Sequence, residues 1–177
     1  FVLDQLHEKG VKGGKILEVR GLPGNSVDRD RSIGINKVFE DDGGDWEIVQ
    51  VVGNWDDGTT QKVVADAIAV HGQFEAVVGQ GGSNGVIQAL KDAGHPWVPV
   101  AGESENGFRK AIAQYSGDGL KGISIGQSPG LVAVAMKAAV SALEGNVMPQ
   151  LISVPLPVAT YDELKDGENY WSDLPDN

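Results

Sequence analysis

Apolar positions along the chain fall into two rhythms. Short, nearly continuous runs such as KILEV at 15–19 alternate with longer stretches in which the apolar residues recur every three or four positions. The runs predict strands over 15–19, 46–52, 74–78, 97–100, 122–125 and 151–156, and the spaced stretches predict helices over 1–9, 26–39, 59–71, 83–93, 107–114 and 129–143. The first helix carries Val2, Leu3 and Leu6 on one face and ends at Gly10. In 26–39 the expected buried side is Ile33, Ile35, Val38 and Phe39, and in 59–71 it is Val63, Val64, Ala67 and Ile68. Gly94 closes 83–93, and 129–143 has Pro129 in its first turn and Gly145 past its end. Strand and helix alternate strictly, in about five repeats of roughly 25 residues. Uninterrupted Val/Ile strands suit a sheet covered on both faces. The expectation is an α/β fold: a doubly wound, mostly parallel sheet with helices on both faces. No repeat suggests a solenoid.

Length and charge narrow the picture. At about 150 residues per domain, 177 residues make one domain, or one with a small appendage. Lys and Arg number 14 against 25 Asp and Glu, a net charge of −11. That balance argues against nucleic acid, whose phosphates need a basic face, and against an anionic membrane surface. The absence of Cys removes disulfides, thiolate nucleophiles and Cys-based metal sites. No apolar run approaches the length of a membrane span. The chain opens Phe1-Val2-Leu3-Asp4, with no initiator Met and no signal-like region, which reads as a fragment or a chain from which something upstream was removed. In the last 17 residues six acids face only Lys165, so this stretch holds −5 of the net charge. Tyr161, Leu164, Tyr170, Trp171 and Leu174 are interleaved with them, so the tail is expected to lie across the surface rather than to be disordered.

In an open parallel sheet, ligands bind beyond the carboxyl ends of the strands. The residues that follow the first five predicted strands include Arg29, Trp55, Asp56, Gln80, Ser83, Glu103, Asn106 and Gln127. Hydroxyls both donate and accept, carboxylates accept, guanidinium donates and amides do both, and an indole covers the C–H face of a sugar ring, so this mixture suits a neutral polyhydroxyl ligand. Other motifs are weaker. Gly79–Gly85 lies between a strand and a helix with Glu103 about 20 residues on, a Rossmann-like layout. However, Asn84 stands where the last glycine belongs. Gly122-Ile123-Ser124-Ile125-Gly126 spells GxSxG, but Ser124 lies inside a β-run and no His follows it. His7, His71 and His95 have no metal-site spacing, and the acidic run 40–45 lacks the alternation of a calcium loop. No catalytic residue, metal site or cofactor is expected.

One resemblance covers most of the chain. GKILEVRGLPGNSVDRDRSIG (14–34), VVGNWDDGTTQKVVADAIAVHGQFEAVVGQGG (51–82), QALKDAG, VPVAGESENG and ISIGQSPGLVAVAMKAAVSALEG resemble, in order, the second lobe of type I periplasmic sugar-binding proteins, the ribose-binding-like receptors of ABC importers. The GLPGNS turn with Arg29 after it, followed by the NWD turn, is the most specific part. The resemblance implies that Arg29 points at sugar hydroxyls, that Trp55 stacks on the ring, that Glu103 stands in for an Asp, and that Gln127 lies beside the hinge. The third loop departs from the family's Gln-Asn-Asp: it reads Gln80-Gly81-Gly82-Ser83-Asn84 and is shorter, leaving Gln80 or Ser83 to replace the usual Asn. With Asn106 from the rim, the candidate ligand-binding set is Arg29, Trp55, Gln80, Ser83, Glu103, Asn106 and Gln127.

The resemblance also implies a division of the chain. Residues 1–127 would be the second lobe, 128–156 a helix and strand packed on a missing first lobe, and 157–177 an acidic segment crossing the surface. The function implied is capture of a sugar or polyol between two lobes outside the cytoplasm, in the periplasm or anchored at the cell surface, for delivery to a membrane permease. The same bilobal fold serves sugar-responsive LacI-like transcription regulators, and the acidic charge and Trp55 favour the transport receptor.

Overall fold

The computed structural model describes residues 1–126 and 130–176. Five parallel strands are joined by a short sixth: β1 (Gly13–Arg20), β2 (Asp45–Val52), β3 (Ala76–Gly79), β4 (Val100–Gly102), β5 (Gly122–Ile125) and β6 (Val158–Thr160). Their order across the sheet is β2-β1-β3-β4-β5-β6, with β6 antiparallel to β5. The helices are α1 (Val2–Glu8), α2 (Ser26–Asp42), α3 (Asp57–His71), α4 (Ser83–Asp92), α5 (Asn106–Tyr115) and α6 (Leu131–Leu143). The order reverses at β1: the chain leaves outward to β2 through α2 and returns across β1 to β3 through α3. The doubly wound, mostly parallel sheet expected from the alternation is therefore present.

The two faces have separate cores. Leu17 and Val19 of β1 pack with Val64 of α3, Leu90 of α4 and Ile112 of α5. Ile16 and Ala76 pack on the other face with Val2 and Leu6 of α1 and Phe39 of α2. Successive β1 residues point to opposite faces, so Glu18 belongs with the α2 side. It is fully buried there, and its carboxylate accepts hydrogen bonds from the side-chain amides of Asn36 (3.0 Å) and Gln50 (2.7 Å). Helix α2 rests its upper half on such polar groups rather than on apolar ones. Its buried residues are Asp28, Ser32 and Phe39, while Ile33 and Val38, expected inside, are more than half exposed.

Three further boundaries differ from the sequence reading. β4 starts at Val100 rather than at 97, because Pro99 has no N–H for the ladder; its carbonyl accepts from Val77 N (3.0 Å). β3 starts at Ala76, with Phe74 buried just before it. Residues 151–156 form no strand: Leu151 is 84% exposed, and the sheet edge at β5 is taken by Val158–Thr160 instead. Pro129, expected in the first turn of α6, lies outside the described residues.

Asp28, in the first turn of α2, fixes that helix to the end of β1. Its carboxylate takes both Nε (3.1 Å) and Nη2 (2.6 Å) of Arg20 and the backbone N–H of Gly21 (2.9 Å). The Arg20 guanidinium, helped by the Gly21 N–H and opposed by burial, holds the Asp28 carboxyl below the ordinary carboxylate range. A depressed folded-state pKa contributes stability above the unfolded value, about pH 4, and that contribution is lost as pH falls through the folded value. Asp28→Asn should therefore destabilise the protein by roughly 2–4 kcal/mol at pH 7. The gap from the unsubstituted protein should narrow as pH falls below about 4. Urea unfolding at pH 7 and in acid checks this, and a gap that stays constant would contradict it.

Candidate functional site

All five parallel strands run the same way, so the helices that follow β1 to β4 aim their N-termini at one rim. Each N-terminus presents unpaired N–H groups and a partial positive charge. Side chains from the neighbouring loops meet them. Asn25 Oδ1 accepts from Val27 N (2.8 Å) on α2, and Asp56 Oδ1 from Thr59 N (2.7 Å) on α3. At α4, Glu105 takes Gly82 N and Ser83 N, each at 2.8 Å, and Asp57 takes Gly85 N (3.0 Å). Burial pushes the Glu105 carboxyl up from its ordinary value; the nearby Asp57 and Glu103 charges add to this, and the two N–H bonds oppose it.

A cleft of about 410 Å³ opens between α2 and the ends of β3, β4 and β5. Ile35, Val78, Ala101 and Ile125 give it apolar walls, and Arg31, Gln80 and Glu103 line it as well. Arg31 and Glu103 form a two-pronged pair, Nη1 to Oε2 at 3.1 Å and Nη2 to Oε1 at 3.2 Å. Arg31 Nη1 also donates to the Gln80 carbonyl oxygen (2.6 Å). Both side chains stay about a quarter exposed, 30% for Arg31 and 26% for Glu103, so a ligand can reach them. The guanidinium charge is already balanced within the cleft.

Trp55 reaches Gly81 and Glu103, beside the cleft rather than in its lining, by an unusual backbone. Asn54 (φ 57°) and Trp55 (φ 59°) are the positive-φ residues other than glycine among the described residues. Two such residues in a row carry strain, of order 1–3 kcal/mol each. Their turn lays the indole on bare backbone. A Cβ on Gly21 would lie 2.1 Å from Trp55 Nε1, and one on Gly81 would lie 2.9 Å from Trp55 Cδ1 and 3.2 Å from Glu103 Oε2. Trp55 and Glu103 therefore meet over Gly81. On the far side of the Glu103 loop, Trp55, Asp56, Asp57, Glu105 and Asp176 line a second hollow of about 410 Å³.

The residues singled out from the sequence separate into groups. Trp55, Glu103 and Gln80 converge. Gln80 is almost wholly buried: its Nε2 donates to Asp28 O (3.0 Å) and, at 3.5 Å, to Glu18 Oε1. Ser83 is fully buried, its hydroxyl accepting from Glu103 N (3.0 Å), so it holds the loop. Asn106 spends its amide on the tail: Nδ2 donates to Trp171 O and Pro175 O, and Oδ1 accepts from Trp171 N. Gln127 lies outside the described residues. Arg29 is 66% exposed, pairs with the adjacent Asp30 and is not among the residues lining the cleft. The cleft guanidinium is that of Arg31, two residues on and so about 200° around the helix. The signal that separates them is spacing, because Arg31, Gly34, Ile35 and Val38 form one i, i+3, i+4, i+7 face and all line the cleft.

The geometry also bears on the weaker motifs. The N–H groups of α4 that a pyrophosphate would need are taken by Glu105 and Asp57. Ser124 is buried in β5, donating to Glu103 O (3.3 Å) and accepting from Arg109 Nε (2.8 Å), so it holds strand and loop together. Among the described residues no group of three or more His, Cys, Asp or Glu is placed to hold a metal ion.

A family model for the periplasmic binding protein domain matches residues 1–146. Similar solved structures include the periplasmic binding protein component of the arabinose ABC transporter from Shewanella sp. ANA-3, bound to α- and β-L-arabinofuranose. It is 23% identical with a TM-score of 0.76, and the match covers 91% of this chain and 55% of that one. An ABC transporter solute binding protein from Agrobacterium vitis with bound D-fucose matches at 17% identity and TM-score 0.77, over 96% of this chain and 59% of that one. One from Bacillus halodurans C-125 with bound myo-inositol matches at 22% and 0.73, over 91% and 56%. At these identities the likeness is one of fold, and this chain spans little more than half the length of each. No curated protein matches the sequence.

Because the indole rests on Gly21 without a side chain between them, Gly21→Ala should cost about 1–3 kcal/mol by overpacking. Trp55→Ala should remove most of that penalty. A double-mutant cycle by urea unfolding should return a coupling of roughly 1–3 kcal/mol. Additive single effects would mean that the ring does not sit there.

Proposed function

We propose that this chain, which belongs to the periplasmic binding protein domain family, supplies one wall of a cleft that captures a neutral sugar or polyol outside the cytoplasm for an ABC importer. The family is one of binding domains, and no chemistry is asked of the site. The observation that carries the reading is the Arg31–Glu103 pair beside Trp55. A guanidinium already neutralised by a carboxylate offers hydroxyls a row of donors and acceptors without attracting net charge. The indole edge and the apolar walls suit ring C–H groups. The ligand contacts proposed are Arg31, Trp55 and Glu103, with Gln80 and Ser83 holding the loops that carry them; Gln127 stays a proposed contact from the sequence. The sugars bound by the similar proteins, an arabinofuranose, D-fucose and myo-inositol, are all neutral and polyhydroxylated.

The second wall belongs, on this reading, to another lobe. Helix α6 has no buried residue, and Val132, Met136, Val140 and Leu143 are each about half exposed or more. An apolar helix in that state suits a surface made to be covered. We place the second lobe at 1–127, the part that packs on the first lobe at 128–156, and the surface segment at 157–177. Closure then follows from differential contact: a sugar touching both lobes favours the state in which both are near it. A permease in the membrane would read that closed state.

The test is calorimetric titration of neutral pentoses, hexoses and polyols into the complete receptor and into this 177-residue chain. The complete receptor should bind at least one of them, raising its stability by about 2.7 kcal/mol at a hundredfold excess over Kd. Arg31→Ala or Glu103→Ala should weaken binding at least about tenfold, by loss of a charge-assisted bond. Arg29→Ala should leave it unchanged. This chain alone should bind weakly or not at all. Preference for sugar phosphates or uronates, or tight binding by the isolated chain, would overturn the reading.

A further inference from the structure

Arg109 is a buried cation that the cleft does not use. It is only 8% exposed, on the inner side of α5, and burial lowers its pKa. Among the described residues its hydrogen-bond partners are neutral: Nε donates to Ser124 Oγ (2.8 Å) and Nη1 to the Asn169 carbonyl oxygen (2.7 Å). An apolar side chain of similar size would be cheaper to bury there. What the guanidinium adds is direction, because its rigid fork fixes two N–H vectors at once, one on the sheet and one on the tail.

The tail is held by the same helix at three more points. Asn106 brackets Trp171 and Pro175, Gly107 N donates to Asp176 O (2.9 Å), and Lys110 reaches Leu174 O and Asp176 Oδ1. The tail folds on itself as well, with Asp166 accepting from Ser172 and Asn169 Oδ1 from Lys165 N. On the opposite side Ser124 Oγ donates to Glu103 O (3.3 Å), and Ser83 Oγ accepts from Glu103 N (3.0 Å). A continuous line of hydrogen bonds thus runs from Asn169 through Arg109 and Ser124 to the backbone of Glu103. The start of α5 carries Glu105 and Asn106 on the same short loop.

We propose that residues 161–176 form a strap, and that Arg109 is the positioning residue through which the strap holds the Glu103–Asn106 loop at the rim of the cleft. The proposal rests on the cleft reading above only for its consequence on binding. Its structural content is independent of any ligand: tail, α5 and cleft loop should loosen together while the rest of the sheet does not.

Hydrogen–deuterium exchange on the ligand-free chain tests it, with Arg109→Met, Arg109→Lys and a chain ending at Thr160. In Arg109→Met the amides of Trp171, Gly107 and Glu103 should exchange at least about tenfold faster, with those of Ile16 and Val19 in β1 unchanged. Arg109→Lys, which keeps a donor, should restore part of the protection. The shortened chain should speed Gly107 and Glu103 in the same way if it folds. Faster exchange at Trp171 and Gly107 but not at Glu103 would reduce the tail to a simple surface cover and overturn the proposal. So would equal acceleration in β1, which would make Arg109 an ordinary stability residue. In the complete receptor, Arg109→Met should weaken sugar binding severalfold, and unchanged affinity would also count against the strap. Failure of the unsubstituted receptor to bind any sugar would instead sink the cleft reading and leave the exchange result to decide the strap.

Discussion

Four helix N-termini converge on one edge of the sheet, and the positive field they create has to be met. Many folds of this kind meet it with a phosphate of the ligand. At three of these N-termini the protein's own acids and amides do so: Asn25 on α2, Asp56 on α3, Asp57 and Glu105 on α4. That choice explains much of what surrounds the cleft. It gives the net charge of −11 a structural use at the rim. On α4 it occupies the N–H groups of Gly82, Ser83 and Gly85 that an anionic ligand would use. It also lets the one guanidinium in the cleft be balanced by Glu103 instead of standing open to a carboxylate or phosphate.

Beneath the crevice buried polar groups bond one another, with Gln80 Oε1 left without a hydrogen-bond partner among the described residues. Glu18 gathers the amides of Asn36 and Gln50, Gln80 binds Asp28 O, and Asp28 binds Arg20 and Gly21 N. Removing one member of such a set leaves another buried and unpaired, which costs more than the bond itself contributed. These bonds tie β1 to α2, to β2 and to the loop after β3. Trp55 is laid on Gly21 and Gly81 by a left-handed two-residue turn. Gly81 also shows why no asparagine directly follows Gln80. Its φ of 151° and the indole 2.9 Å from any added Cβ leave no room for a side chain.

The alternation of strands and helices was legible because most strands are short apolar runs and the helices carry spaced apolar positions, although β2 at the sheet edge has no buried residue. Gly43, Gly94 and Gly145, all at positive φ, end helices where glycine is cheapest. Four features were not legible, each for a physical reason. The upper inner face of α2 is polar, so a search for apolar stripes put Ile33 and Val38 inside and passed over Asp28 and Ser32. Arg29 and Arg31 are alike in type, and only the helix phase, set by that same polar face, tells which one meets Glu103. The apolar run 151–156 has the composition of a strand, but composition does not supply a neighbour with free N–H and C=O groups, and β6 holds the edge. The role of Glu105 lay in a loop contact 22 residues distant, Ser83 N to its carboxylate, which local periodicity cannot register.

The exposed apolar helix and the self-satisfied cleft point the same way. A lobe that had to bind its ligand alone would need enough contact to offset the ligand's lost freedom, several kcal/mol at least. One ion pair, one indole and a shallow apolar wall do not enclose a sugar. Two such walls would, and they would enclose it only when brought together. Helix α6 and residues 144–157 leave the sheet after β5 and return to it at β6, so the excursion begins and ends at the side of the cleft. On the proposed reading, a mostly apolar segment anchored at both ends beside the cleft would couple whatever it packs against to β5. Its first anchor is the strand whose Ser124 donates to the Glu103 carbonyl oxygen.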